Sequence, residues 1–160
     1  MTVRTGLGFD THAFTRGRPL ILGGVEIPHE QGLTGHSDAD VLTHAVIDAL
    51  LGAAGLGDIG QHFPDTDARF KDADSLELLR TVVLELDDHG FAIANVDVTV
   101  VLERPKLAAH RETIRATLAS ALGLPAGAVN IKATTGEGMG FVGRGEGAAA
   151  MAVATVSGRS

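Results

Sequence analysis

Asp10 and His12 are separated by one residue within Val3 to Phe14, a stretch that reads as a first strand. Side chains at i and i+2 of a strand share a face, so this carboxylate and imidazole can reach one ion. A second imidazole, His44, lies in a stretch of helical periodicity. There Asp40, His44 and Asp48 recur every four residues as a polar stripe, apart from the apolar stripe of Leu42, Ala45 and Ala49. A strand edge packed beside that helix would present Asp10, His12 and His44 to one metal. Two imidazoles and a carboxylate suit a catalytic zinc, with a fourth position left open. Asp48 is a candidate acceptor for a free imidazole N–H. The chain has no cysteine, so a thiolate site is excluded.

Read on their own, these residues leave three uses open. One is a zinc-dependent phosphohydrolase that uses zinc-bound water as its nucleophile. Another is a non-catalytic module with a structural zinc, which would need a fourth protein ligand that the sequence does not obviously supply. The third is an ordinary D-x-H pair with an unrelated helical histidine.

The positioning elements follow from periodicity. Leu20 to Ile27 reads as a hairpin turning at Gly23-Gly24, because a Gly-Gly pair suits a tight primed turn. Ser37 is a plausible N-cap for the next helix, with Asp40 at its third position in a capping-box-like arrangement. Leu42, Ala45, Val46, Ala49, Leu50 and Ala53 mark one buried helix face. Leu56 to Asp72 is long for a connection in a compact domain, as functional loops often are. A second helix is expected from about Ser75 to His89, stopped by Gly90. Asn95 to Glu103 is a strand with Val96, Val98, Val100 and Leu102 on one face. Pro105 is expected at the first turn of a third helix, where an anion could bind its N-terminus. Leu107, Ile114, Leu118 and Leu122 give that helix its core stripe, and Gly123 closes it. Val129 to Ala133 and Ala148 to Val156 are further strands, joined by a glycine-rich turn from Gly136 to Gly147.

Strands alternating with helices point to an α/β or α+β class. The expected form is one layered catalytic domain over residues 1–160, with a mixed sheet packed on one side by helices. At 44% hydrophobic and 4% aromatic, the core must be largely aliphatic. The net charge of −7 argues against a nucleic-acid groove, which needs a basic stripe. No apolar run approaches a membrane span or a signal peptide, so the cytoplasm is the expected setting.

Six blocks carry a resemblance. GFDTHAF (Gly8 to Phe14), HSDADVLTHA (His36 to Ala45), GDIGQHFPDTD (Gly57 to Asp67), NVDVTV (Asn95 to Val100), RPK (Arg104 to Lys106) and KATTGEGMGFVGRGEG (Lys132 to Gly147) together resemble the 2-C-methyl-D-erythritol 2,4-cyclodiphosphate synthases. The likeness runs through essentially the whole chain in order. It implies a homotrimer with active sites between subunits. It also implies cyclisation of 4-diphosphocytidyl-2-C-methyl-D-erythritol 2-phosphate with release of CMP, in non-mevalonate isoprenoid biosynthesis. By the same resemblance Asp10, His12 and His44 are zinc ligands, and Glu137 ligates a second divalent cation, magnesium or manganese. Catalytic roles fall to Thr135, Glu137 and His36. His36 and Ser37 lie near a substrate phosphate, and Asp58, Gly60, Phe63, Pro64, Asp65 and Asp67 hold the methylerythritol part. Leu102, Pro105, Lys106, Ala133, Thr134 and Thr135 serve the nucleotide from the adjacent subunit. Phe141 and Arg144 are further substrate contacts, with Arg144 and Glu146 paired near the trimer axis. One departure stands out: the family's T-T-T-E reads Thr134-Thr135-Gly136-Glu137 here, which puts a local contact in doubt.

The implied reaction explains what the sequence lacks. An oxygen of the 2-phosphate, already an anion at neutral pH, attacks the β-phosphorus, so no Ser-His-Asp arrangement is needed. The obstacle is bringing two anionic phosphates into line, which cations and hydroxyl donors such as Ser37 and Thr135 can ease. His29, His62, His89 and His110 are read as surface histidines without a role.

Overall fold

A computed structural model describes residues 1–158 of the chain. Strand β1 (Val3–Thr15) is followed by a hairpin of β2 (Leu20–Leu22) and β3 (Val25–Ile27), then by β4 (Gly32–Leu33). Helix α1 (Val41–Ala54), the short α2 (Ile59–His62) and α3 (Ser75–Asp88) come next. Then follow β5 (Phe91–Val101), α4 (Arg111–Leu122), β6 (Val129–Thr134), the short α5 (Gly140–Gly143) and β7 (Gly147–Gly158). The main sheet has the order β4-β1-β7-β5-β6, antiparallel except for the parallel β5–β6 pair. It is a mixed sheet with helices on one face, as expected.

Alternation in the strands decides which face is covered. Val96, Val98 and Val100 of β5 and Ala148, Ala150, Ala152 and Ala154 of β7 are buried. On the other face Ala149 is buried, but Val3, Leu7, Phe9, Met151 and Val153 are large apolar side chains left exposed. Within β1, the buried positions are Gly6 and Gly8. A Cβ at Gly8 would collide with the Ala45 carbonyl and the Ala49 amide, and one at Gly6 with the Ala49 carbonyl and Ala53. These two glycines, with the alanines of β7, let α1 lie almost backbone to backbone on the sheet.

That close seat changes the character of α1. One buried face was expected, yet nearly the whole helix is buried, with Ile47 and Leu51 fully inaccessible alongside the expected Leu42, Ala45 and Leu50. Each large aliphatic side chain so buried contributes roughly 1.5–3 kcal/mol. The helix is sandwiched between sheet and α3, so the amphipathic pattern understates its burial.

Its N-cap is Asp40, not Ser37. The fully buried Asp40 carboxylate accepts from Thr43 N (3.0 Å) and Thr43 Oγ1 (2.7 Å). It also accepts from Gly23 N (2.9 Å) and Gly24 N (2.7 Å) at the hairpin tip. Gly23 and Gly24 both have positive φ (59° and 74°), the signature of the expected primed turn. One carboxylate therefore caps the helix and pins the hairpin. The polar stripe of Asp40, His44 and Asp48 does not act as a unit.

Other expectations need adjustment. Strand β5 starts at Phe91, earlier than Asn95, and ends before Glu103. Pro105 does not open a helix: it follows a cis peptide, a 3-10 turn spans Ala108–His110, and α4 begins only at Arg111. No helix N-terminus is therefore offered to an anion at Pro105. The 56–72 segment contains α2 and a 3-10 turn at Ala68–Phe70, and the glycine-rich 136–147 segment contains α5. Among the described residues no helix is long and apolar enough to cross a membrane.

A candidate metal centre and its two cavities

Asp10 and His12 project from the helix-facing side of β1, and His44 projects from α1 toward them. The three ligand atoms lie within 4.8 Å of one another, the one such cluster of His, Asp and Glu among the described residues. His12 Nε2 is 2.9 Å from Asp10 Oδ2, and His44 Nδ1 is 3.2 Å from the same oxygen. His12 Nε2 and His44 Nδ1 are 3.2 Å apart.

The opposite ring nitrogens are already engaged. His12 Nδ1 donates to the Thr34 carbonyl at 2.8 Å. His44 Nε2 meets two hydroxyls, Ser75 Oγ at 2.8 Å and Ser37 Oγ at 3.1 Å. Asp48, expected behind an imidazole, instead accepts from the Ile59 amide at 2.7 Å and so fastens α2 to α1. Burial pushes the Asp48 carboxyl up, against that hydrogen bond.

This donor set fits a divalent metal. Bonds of ~2.0–2.1 Å at tetrahedral angles hold ligand atoms ~3.3 Å apart, close to the three separations here. Two imidazole nitrogens facing each other beside a carboxylate repel unless a proton or a cation lies between them. Burial alone would raise Asp10, but the hydrogen bonds and charges of His12 and His44 outweigh it and hold the carboxyl at about 2. Burial would lower His12, and Asp10 together with the Thr34 carbonyl reverses that and raises it. A cation entering the cluster would compete with protons for these three atoms.

The triad opens into a cleft of about 420 Å³. Of the expected residues, Asp10, His12, His36, Ser37, His44, Gly60, Phe63, Pro64 and Asp65 line it, joined by Gly35, Ile59, Phe70 and Leu78. Phe63 packs edge-on against Phe70 at 5.3 Å, which stiffens the apolar wall. The His36 ring donates through Nε2 to the Asp67 carbonyl at 3.0 Å and ties the loop to the segment before α1. His62 is no bare surface histidine: its ring bonds the Leu56 carbonyl at 2.7 Å and pairs with Glu85 at 3.1 Å.

Two expected carboxylates face elsewhere. Asp58 caps α2 by accepting from Gln61 N at 3.0 Å, and Asp67 is gripped by the exposed Arg69 guanidinium. Both side chains shape the loop and do not line the cleft.

A second, smaller cavity of about 140 Å³ lies where β5 and β6 end. Leu102, Pro105, Lys106, Ala133, Thr134 and Thr135 line it, all six of the residues matched to a nucleotide, with Arg111 nearby. Glu137 lines neither cavity. It is exposed at a positive φ of 54°, with its amide bonded to Thr135 Oγ1 at 3.1 Å. Gly136 donates to Glu103 at 2.6 Å, and a Cβ there would crowd Glu103, Met139 O and Gly143 N. Position 136 thus contributes a backbone contact to Glu103 and leaves little room for a side chain. Phe141 lies with Glu146 beside a third hollow, and Arg144 pairs with Glu146 at 3.1 Å.

Sequence reasoning passed over Ser75 and Asp38, the groups behind His44. Ser75 is fully buried; its hydroxyl donates to Asp38 Oδ1 and its amide to Asp38 Oδ2 at 3.0 Å. The polar density of His36-Ser37-Asp38-Ala39-Asp40 was the one available signal.

Comparison with known proteins agrees with this geometry. The chain is 62% identical over 154 residues to the 2-C-methyl-D-erythritol 2,4-cyclodiphosphate synthase of Salinibacter ruber, covering 96% of this chain and 98% of that one. A solved 2C-methyl-D-erythritol-2,4-cyclodiphosphate synthase in a CDP-bound form superposes with a TM-score of 0.89 at 37% identity, over 96% of this chain and all of that one. The bifunctional IspDF of Campylobacter jejuni superposes with a TM-score of 0.95 at 44% identity, over 98% of this chain and 42% of that longer one. The YgbB family profile matches residues 3–157, and the chain belongs to the YgbB family.

Proposed function

We propose that this protein is a 2-C-methyl-D-erythritol 2,4-cyclodiphosphate synthase. It converts 4-diphosphocytidyl-2-C-methyl-D-erythritol 2-phosphate to the 2,4-cyclodiphosphate and releases CMP, making it a phosphorus–oxygen lyase. The observation that carries the reading is the Asp10–His12–His44 cluster opening on the large cleft, in a chain 62% identical to a named synthase. The proposed unit is a single catalytic domain over residues 1–160, acting in the cytoplasm.

In this reading the triad would hold zinc, and Glu137 would hold magnesium or manganese, since a carboxylate suits such hard ions. The cations supply charge neutralisation where two phosphates must meet. The chain's own groups supply the rest. Ser37 and His36 line the cleft near the phosphate, where the Ser37 hydroxyl can donate to a phosphate oxygen and His36, held through Nε2 by the Asp67 carbonyl, fixes the loop beside it. The walls of Ile59, Phe63 and Phe70 exclude water from the methylerythritol part. Lys106 and the Thr135 hydroxyl can bind the nucleotide phosphates, with Leu102, Pro105 and Ala133 against the base. One 2-phosphate oxygen forms a bond to the β-phosphorus, the bond from that phosphorus to the CMP oxygen breaks, and CMP departs with that oxygen. No water is consumed.

A homotrimer belongs to the proposal. Two features support it: the metal cleft and the nucleotide cavity are separate in one chain, and the uncovered sheet face is apolar at Val3, Leu7, Phe9, Met151 and Val153. Incubation with the cytidyl diphosphate substrate, with and without chelator, tests the activity. A cyclic diphosphate and CMP, lost on chelation, are expected. Linear products would favour the phosphohydrolase and sink the proposal.

A further inference from the structure

We infer that Ser75, backed by Asp38, is a positioning residue that sets the tautomer of His44 and thereby leaves the Ser37 hydroxyl free to donate into the cleft. The inference rests on the metal-binding reading of the triad.

The proton directions follow from the contacts. Asp38 Oδ1 receives the Asp40 amide at 3.1 Å and the Ser75 hydroxyl, and Oδ2 receives the Ser75 amide at 3.0 Å. The Ser75 hydrogen is thus committed to Asp38, and Ser75 Oγ can face His44 only as an acceptor. At 2.8 Å it takes the proton of His44 Nε2. That fixes the Nε2–H tautomer and leaves a bare lone pair on Nδ1, the atom directed at Asp10 and His12. Such a carboxylate-backed partner behind a metal-binding imidazole orients the ring and raises its basicity.

Ser37 is the second neighbour of His44 Nε2. Its Oγ accepts the Ala39 amide at 3.3 Å and lies 3.1 Å from the same His44 nitrogen. With the Nε2 proton turned to Ser75, the Ser37 hydrogen has no acceptor among these neighbours and can point into the cleft that Ser37 lines. Without the Ser75 hydroxyl, Ser37 would be the remaining partner of His44. Its hydrogen could then turn to Nε2, favouring the opposite tautomer with Nδ1–H against Asp10. Ser75 and Asp38 are held in register by the first turn of α3, where Asp74 caps Leu76 at 2.9 Å, and by the Asp38 amide bonded to the Ala73 carbonyl at 3.1 Å.

The test uses metal-free protein labelled with ¹⁵N-histidine, whose ring nitrogen shifts distinguish the two tautomers. Wild-type His44 should show the Nε2–H tautomer, and Ser75→Ala should shift it toward Nδ1–H. Chelator competition with zinc should then show ~10–100-fold weaker binding in Ser75→Ala, with Ser75→Thr restoring most of it. An Nδ1–H tautomer in the wild type overturns the inference without any variant. So does an unchanged zinc affinity in Ser75→Ala, whatever its tautomer. A His44→Ala control separates the two claims: wild-type zinc binding there would refute the metal reading itself, while the tautomer would still report on Ser75.

Discussion

At the scale of the residue, His44 carries the most. It joins two elements, contributes one of three converging ligand atoms, and is 8% exposed, so its loss removes little surface but opens the cluster. His44→Ala should lose bound metal and turnover while keeping a wild-type circular dichroism spectrum and a cooperative melt, because the core beneath it is untouched. The i, i+2 geometry of Asp10 and His12 was legible from two letters and a strand period. The partners of His44 were not: Ser75 is 31 residues away and Asp38 reaches Ser75 across 37, distances that no local pattern spans. A second residue-scale prediction concerns pH. Lys132, bonded at 2.8 Å, and Asn130 hold the Asp97 carboxyl below its usual range. A carboxyl lowered in the folded state stabilises above its unfolded pKa, and the benefit fades as pH falls through the folded value. Both side chains are substantially exposed, so the pair is worth only ~0.2–1 kcal/mol. Lys132→Met should therefore destabilise slightly at neutral pH in urea titrations, and the difference should narrow between pH ~5 and ~3.

At the scale of the element, the site depends on how tightly α1 sits on β1 and how firmly α1 begins. Asp40 satisfies four donors from two elements while fully buried, so Asp40→Ala should cost about 2–4 kcal/mol in urea unfolding, well above a typical exposed cap. A change below ~0.5 kcal/mol would contradict its role as the joint between hairpin and helix. The helices and strands themselves were largely readable, because Leu42-to-Ala53 and Val96-to-Leu102 carry clear 3.6 and 2.0 periods. The choice between Ser37 and Asp40 as cap was not. Both are good caps by type, and the deciding contacts come from Gly23 and Gly24, which only the folded hairpin brings near. Pro105 misled for a related reason: a proline before a helical stretch usually sits at N1, but here a cis bond and a 3-10 turn intervene.

At the scale of the whole molecule, the sheet has one face sealed by helices and one face open. Leu7 is 69% exposed and Phe9 56%, in the middle of the longest strand rather than at a frayed end. Their alternation with Gly6 and Gly8 was visible in the letters, yet which face the helices cover required the sheet order. In light scattering the wild type should show three chain masses. Leu7→Glu should dissociate the assembly and abolish turnover, because the metal cleft would lose the nucleotide cavity of its neighbour. A fully active Leu7→Glu monomer would refute the shared site.

The central claim is that the β-phosphorus is attacked by the substrate's own 2-phosphate and never by water. Turnover in ¹⁸O-enriched water with mass analysis of both products tests this most directly. The expected result is a cyclic diphosphate and CMP with no ¹⁸O above background. One ¹⁸O atom in either product, released with linear phosphates, would contradict it and return the Asp10–His12–His44 cluster to the chemistry of a hydrolase.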